Sequence, residues 1–261
     1  MMTHFDQLES TNSYLRQNHQ GMPQHAVVTA AYQTAGRGQR GNGWESEPGR
    51  NLLFSMLYYP PADLPPSRQF QISKAVALAV AETVDRLLDG YDHPEVCIKW
   101  PNDIYVGDRK IAGILIENAL QSSTRIAHSI IGVGLNVNQR EFRSGAPNPV
   151  SAVNITGRET LPELVAGWLR QALVATLPLE DSWLDECYRR RLWRSRGFHP
   201  YISLVASAAP APTAVKAGGD CGRSGCFEAE IVGVAPDGPI TLRTRSGELR
   251  VFSFKEVAPV L

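Results

Sequence analysis

Residues 103–117 read DIYVGDRKIAGILIE. Two runs of β-branched and aliphatic residues flank Gly107-Asp108. A glycine-led pair between such runs suits a tight reverse turn, because glycine reaches positive φ without a steric penalty. The stretch therefore predicts a β-hairpin, and with it antiparallel pairing inside a sheet. Upstream, EVCIKW (95–100) predicts a strand stopped by Pro101. Downstream, HSIIGVGLNVN (128–138) predicts another, with glycines at 132 and 134. Glycine weakens a strand interior, so its presence there marks close approach by another group.

Working further outward, STNSYLRQ (10–17) begins with cap-type residues and predicts a short helix. AVVTAAYQT (26–34) and NLLFSMLYY (51–59) predict buried strands. PPADLPP breaks the chain at 60–66. From Ser67 to about Leu88 the pattern is helical around AVALAV, which predicts burial on most sides. Two more helices are predicted at roughly 160–177 and 182–195. YRRRLWRSR (188–196) is the strong charge run, and reads either as the solvated end of a helix, where cations suit the dipole, or as a docking surface for an acidic domain. There is no internal repeat.

The character changes after residue 196. A Pro/Ala/Gly-rich segment near 203–226 precedes CFEAEIVGV, PITLRTR and ELRVFSF, short alternating runs separated by PDG and SG turns. These predict a small antiparallel barrel over 197–261, following a first domain over 1–196. The first domain is predicted to be α+β, a mixed sheet with helices on one face.

Lys plus Arg and Asp plus Glu are each 26, so the formal net charge is zero. That argues against nucleic-acid binding by general electrostatics and requires any anion site to be local. The N-terminus lacks the basic start and apolar run of a signal peptide, and no run is long enough to span a bilayer. Cys97, Cys187, Cys221 and Cys226 do not compose a zinc pattern, so no metal ligands are assigned. A reduced, cytoplasmic setting is expected.

AGRGQRGNGW (35–44) poses the chemical question. Four of its ten residues are glycine and two are arginine. Neither a hairpin nor a helix cap needs that composition. It suits a backbone that closes on an anion while Arg37 and Arg40 bring charge. It is not a Walker A loop, since Gly-Lys-Ser/Thr is absent, and no helix follows it as in the dinucleotide fingerprint.

Taken in order, STN (10–12), QTAGRGQRGNGW (33–44), KWPND (99–103), RKIAGILIE (109–117) and GVGLNVN (132–138) resemble the biotin–protein ligase family. The motifs cover about 10–138, and the predicted final barrel matches the SH3-like C-terminal unit usual there. The chain starts nine residues before STN, so the N-terminal DNA-binding domain of some members is not expected, and neither is DNA as a partner. The resemblance implies activation of biotin by ATP and Mg²⁺ to biotinyl-adenylate, then transfer to a lysine of a biotin carrier domain of a carboxylase. No tightly bound prosthetic group is implied, a membrane partner is not expected, and a homodimer is left open.

Carried over residue by residue, Ser10, Thr11, Asn12 and Gln33 would bond the biotin ring head. Gly36, Arg37, Gly38, Gln39 and Arg40 would line the carboxylate and adenylate, and Trp44 would stack on adenine. Lys110 would bind the carboxylate–phosphate junction, with Gly113 beside it. Gly132 and Gly134 would let the strand lie flat under biotin, and Asn136 would sit near the nucleotide. Asn102 and Asp103 would face the phosphates, the metal or the incoming lysine. Arg37, Lys110 and Asp103 are the implied catalytic set. One departure stands out: the family often has G-R-G-R where this chain has G-R-G-Q, so Gln39 removes a charge and a bidentate fork. The rival readings are a lipoate or octanoate ligase and a non-catalytic biotin or nucleotide sensor.

Overall fold

The computed structural model describes residues 1–143, 148–205 and 225–260. Most of the predicted 203–226 insertion, with Cys221, lies outside them. The chain divides into two compact units, Met1–Trp193 and Arg194–Leu261.

The first unit is built on a seven-stranded mixed sheet. Its strands are β1 (Met2–Leu8), β2 (Val27–Gln33), β3 (Leu52–Tyr58), β4 (Val96–Lys99), β5 (Asp103–Val106), β6 (Arg109–Ser122) and β7 (Arg125–Leu135). They lie in the order β1-β2-β3-β7-β6-β5-β4. Only β1 and β2 pair in parallel, and the other pairings are antiparallel. The hairpin read from residues 103–117 is present, turning at Gly107 with φ +59°. β6 and β7 run beyond it into a second hairpin, along a polar stretch that carries no periodic signal.

The central strands divide the molecule into two faces. Ser55 pairs with Gly132, and Gly113 with Gly134, so these side chains point one way. Phe54, Met56, Ile114, Ile131 and Val133 point the other way and are buried. That second face is covered by α2 (Phe70–Leu88) and α4 (Pro162–Thr176). Val76, Ala77, Val80, Val84 and Leu88 of α2 are wholly buried. Each large aliphatic side chain so buried contributes roughly 1.5–3 kcal/mol, and the alanines let the helix approach the strands closely. The first face carries only the short α1 (Thr11–Asn18), seated by Leu15 against Ala26, Val28, Leu57 and Ile130. Beyond α1, the Trp44 indole lies on that face over Gly113 and Gly134.

Two further helices complete the unit. α3 (Ala152–Thr156) is capped by Ser151 and Asn154 bonding reciprocally, a device the sequence reading passed over. α5 (Asp181–Arg191) ends earlier than residue 195. Leu192 turns extended and bridges Ile98, and Trp193 N–H donates to the Ile98 carbonyl at 2.8 Å. The charge run is largely paired: Arg189 and Arg190 with Glu186, Arg191 with Asp85. Among the described residues no helix is long and apolar enough to cross a membrane.

The second unit is a five-stranded antiparallel sheet in the order β11-β10-β9-β8-β12. It comprises β8 (His199–Ser203), β9 (Cys226–Val234), β10 (Ile240–Thr244), β11 (Leu249–Phe252) and β12 (Val257–Pro259). Stacked Tyr201, Phe227 and Phe252 rings and buried Ala229, Ile240 and Leu242 form its core. This is the small antiparallel unit expected at the C-terminus, with β8 and β12 added to the three strands read from sequence.

Candidate active site

The polar trio sits where α1 begins. Ser10 is the N-cap, its hydroxyl accepting from Ser13 N–H, which satisfies one orphan donor of the helix. Thr11 and Asn12 are the first helical residues, and all three are only 3% exposed. Buried polar groups need partners, and these have them. Thr11 donates to Gln33 Oε1 twice, from the backbone at 2.7 Å and from the hydroxyl at 3.0 Å. The Ser55 hydroxyl, wholly buried on β3, is shared between Thr11 Oγ1 at 2.7 Å and Asn12 Oδ1 at 2.6 Å. Asn12 Nδ2 donates to Glu117 Oε2 at 2.8 Å. Gly132 makes this seat possible, since a Cβ there would lie 2.3 Å from Asn12 Oδ1.

The glycine-rich stretch forms a narrow loop folded mostly on itself. Gly38 N–H donates to the Asn42 carbonyl at 2.6 Å, and Trp44 N–H to the Gly36 carbonyl at 2.9 Å. Arg37 and Gly43 bridge across it, and Gln39–Gly41 make a 3-10 turn that includes Arg40. Gly41 adopts φ +85°, and a Cβ on Gly36 would come within 2.7 Å of the Trp44 carbonyl. Those two positions need glycine for different reasons, conformation and space. Arg37 Nη2 donates to Glu117 Oε2 at 2.8 Å, the same oxygen that Asn12 uses.

Trp44 lies across the floor of the open face. Its indole stands where Cβ atoms on Gly134 and Gly113 would be, 2.3 Å from Cε2 and 2.9 Å from Cζ3 respectively. The sequence reading reserved the two β7 glycines for a ligand; here Asn12 lies over Gly132 and Trp44 over Gly134. Lys110 Nζ is 5.7 Å from the Trp44 ring centroid, a cation–π distance, and 2.6 Å from Asp103 Oδ1. Asn102 Nδ2 donates to the Ile114 carbonyl at 2.7 Å, which fastens the KWPND turn to β6. Lys99 Nζ donates to Tyr105 Oη at 2.9 Å, and burial pushes that phenol up, so it stays protonated. Asn136 Nδ2 donates to the Val150 carbonyl at 3.0 Å.

Three buried polar atoms at this face have no partner: Arg37 Nε, Trp44 Nε1 and Asn136 Oδ1. Such groups are costly unless something else satisfies them. They comprise two donors and one acceptor.

Among the predicted residues, Thr11, Asn12, Gln33, Arg37, Trp44, Asp103, Lys110, Gly113, Gly132 and Gly134 are joined by these contacts, whereas Gln39 and Arg40 are placed only by the backbone of the 3-10 turn. The reading missed Ser55 and gave Glu117 no part, although both tie the trio together. It also missed the anchors of the loop. Gln139, wholly buried, accepts from Glu47 N–H at 3.1 Å and Asn51 Nδ2 at 2.6 Å, while Asn51 Oδ1 accepts from Val137 N–H at 3.0 Å. A lone serine in an aliphatic strand and amides in NVNQ were the available signals.

Comparison with known proteins gives the family and the fold. The family model described as Biotin/lipoate A/B protein ligase matches residues 4–136. The bifunctional ligase/repressor BirA of Escherichia coli is 33% identical over 196 residues, covering 75% of this chain and 55% of BirA. The biotin–[acetyl-CoA-carboxylase] ligase of Mycobacterium tuberculosis is 36% identical over 113 residues, covering 43% of this chain and 40% of that protein. The chain thus spans about half the length of the curated relatives it matches. The solved biotin protein ligase of Aquifex aeolicus, in complex with biotin and ATP, shares the fold, with a TM-score of 0.72 at 21% identity, covering 99% of this chain and 98% of that one. With the family model spanning half of its 261 residues, this chain belongs to the biotin/lipoate A/B protein ligase family.

Proposed function

We propose that the first unit is a catalytic domain that activates biotin with ATP and passes it to a lysine of a biotin carrier domain. One observation supports this above the rest: a preformed, neutral hydrogen-bonding seat (Thr11, Asn12, Gln33, Ser55) adjoins Arg37 and Lys110 on the same open sheet face. A ureido ring head offers both N–H donors and a carbonyl acceptor, which suits the seat. A carboxylate and a triphosphate require the cations.

In the first step the biotin carboxylate oxygen attacks the α-phosphorus of ATP. The new C–O–P bond forms as the α–β bridging P–O bond breaks, and pyrophosphate leaves. Arg37 and Lys110 lower the repulsion between the two anions and stabilise charge at phosphorus. The carboxylate of Asp103 holds Lys110 Nζ in place until the ligand arrives. In the second step a neutral lysine amine attacks the acyl carbon, the C–N bond forms as the acyl C–O bond to AMP breaks, and the nitrogen gives its proton to solvent. Neither step needs a nucleophile from the enzyme. Trp44 has to leave Gly134 for the nucleotide and can then stack on adenine, while Asn136 Oδ1 and Trp44 Nε1 gain polar partners.

Mg²⁺ fits this site as an ion carried on the ATP phosphates. Among the described residues no group of three or more His, Cys, Asp or Glu gathers to hold a metal alone, and phosphate-bound Mg²⁺ needs only one or two protein carboxylates. Asp103 would supply one, and the ion would add charge neutralisation at the phosphates.

The test is pyrophosphate release from ATP with biotin, lipoate or octanoate, with and without Mg²⁺. Release is expected with biotin and Mg²⁺. Much faster release with lipoate or octanoate would assign the site to those acids, and none with any acid would leave a sensor.

A further inference from the structure

Glu117 ends the RKIAGILIE run and sits on the open face of β6, its side chain 28% exposed. One of its oxygens accepts from both Asn12 Nδ2 and Arg37 Nη2, each at 2.8 Å. Its other oxygen lies 3.7 Å from Arg16 of α1. A continuous path of hydrogen bonds thus runs from the loop (Arg37) through Glu117 to Asn12, across the shared Ser55 hydroxyl to Thr11, and on to Gln33. It joins the seat for a neutral ring head to the arginine meant for an anion.

We propose that Glu117 is a positioning residue that makes Arg37 available to an anion only when the α1 seat is filled. Without ligand, its charge neutralises Arg37 and repels an approaching phosphate or carboxylate. A ring head whose carbonyl oxygen accepts from Asn12 Nδ2 competes with Glu117 for that donor while Asn12 stays seated on Ser55. The carboxylate then loses the partner that fixes its orientation beside the loop, can turn toward Arg16 on its other side, and Arg37 can exchange it for the ligand's anion. An anion alone has to displace Glu117 with no such help. The sites are coupled through one carboxylate, and couplings of this kind span about 5- to 150-fold in affinity.

The coupling builds on the proposed function, but its test does not require turnover. Glu117→Gln keeps the shape and removes the charge. In the ligand-free full chain, hydrogen exchange at 35–44 should quicken about fivefold, and ATP added without biotin should bind about tenfold tighter. A purely structural role would not tighten ATP binding. Loop exchange within about twofold of wild type, or ATP binding unchanged or weaker, overturns the proposal. Should Glu117→Gln lose its cooperative melting transition, Glu117→Asp decides. It keeps the charge but withdraws the carboxylate by one methylene, so the loop should be released and ATP without biotin should bind tighter than to wild type; a loop still protected overturns the idea. If wild type releases no pyrophosphate with biotin, the substrate reading falls, and the loop measurement still decides the role of Glu117.

Discussion

The polar trio and the glycine-rich loop face each other across the same sheet, yet they are built on opposite terms. Ser10, Thr11 and Asn12 are buried and carry partners on four separate elements: α1 itself, β2, β3 and β6. The loop bonds chiefly to itself and to one carboxylate, and Gly41, Asn42 and Gly43 are exposed. Fixing glycines costs backbone entropy that few packing contacts here offset. Under the proposed function, the contrast means that recognition of the neutral part of the substrate is preformed, while the cationic part is assembled during binding. Charge held ready in a permanent cleft would admit any phosphate; charge on a yielding loop need not.

The strongest attack on that contrast is removal of a cation. Lys110→Ala should slow adenylate formation about a hundredfold, corresponding to roughly 3 kcal/mol of transition-state stabilisation, with little change in melting temperature. Single-turnover adenylation measures it, and a near-normal rate would remove Lys110 from the chemistry. A similar result is expected for Arg37→Ala.

Next come two glycines with the same clash and different neighbours. A Cβ at Gly132 meets Asn12 Oδ1 at 2.3 Å, and one at Gly134 meets Trp44 Cε2 at 2.3 Å. Asn12 is locked into a buried network, whereas Trp44 rides on the loop. Gly132→Ala should therefore destabilise the protein by about 1–3 kcal/mol, the usual range for overpacking a well-filled site. Gly134→Ala should cost under about 0.5 kcal/mol, as the indole swings away. Denaturant melts of both variants check this, and equal losses would erase the distinction between a rigid and a yielding half.

The smallest effect concerns Gln39. Arginine there would add charge and a bidentate fork. Gln39→Arg should slow release of biotinyl-adenylate by a few-fold, of the order of one surface charge contact. An unchanged off-rate at fixed salt would show that Arg40 or the loop backbone already does the holding.

Legibility in the sequence followed burial. β2, β3 and β7, enclosed by the core, announce themselves as apolar runs, and Gly107-Asp108 gives the hairpin. β1 does not, because MTHFDQL is an edge strand with four of its seven side chains polar and none buried. β8 and β12 are short and carry prolines, which read as breaks. Within the site, residues in glycine- and charge-dense motifs were visible, since their composition is hard to explain otherwise. Ser55, Asn51 and Gln139 were not: a single polar residue inside an apolar strand or loop acquires meaning only from partners distant in sequence.

The amide clamp formed by Asn51 and Gln139 fixes one foot of the glycine-rich loop. The other foot is held by Thr34 and Ala35 N–H groups on the Leu8 and Glu9 carbonyls, at 2.9 and 3.0 Å. Both feet are thus held by groups outside the loop itself. For protein engineering, the exposed tip at Gly41 to Gly43 is then the part of the loop where sequence can be changed with least disturbance to its footing.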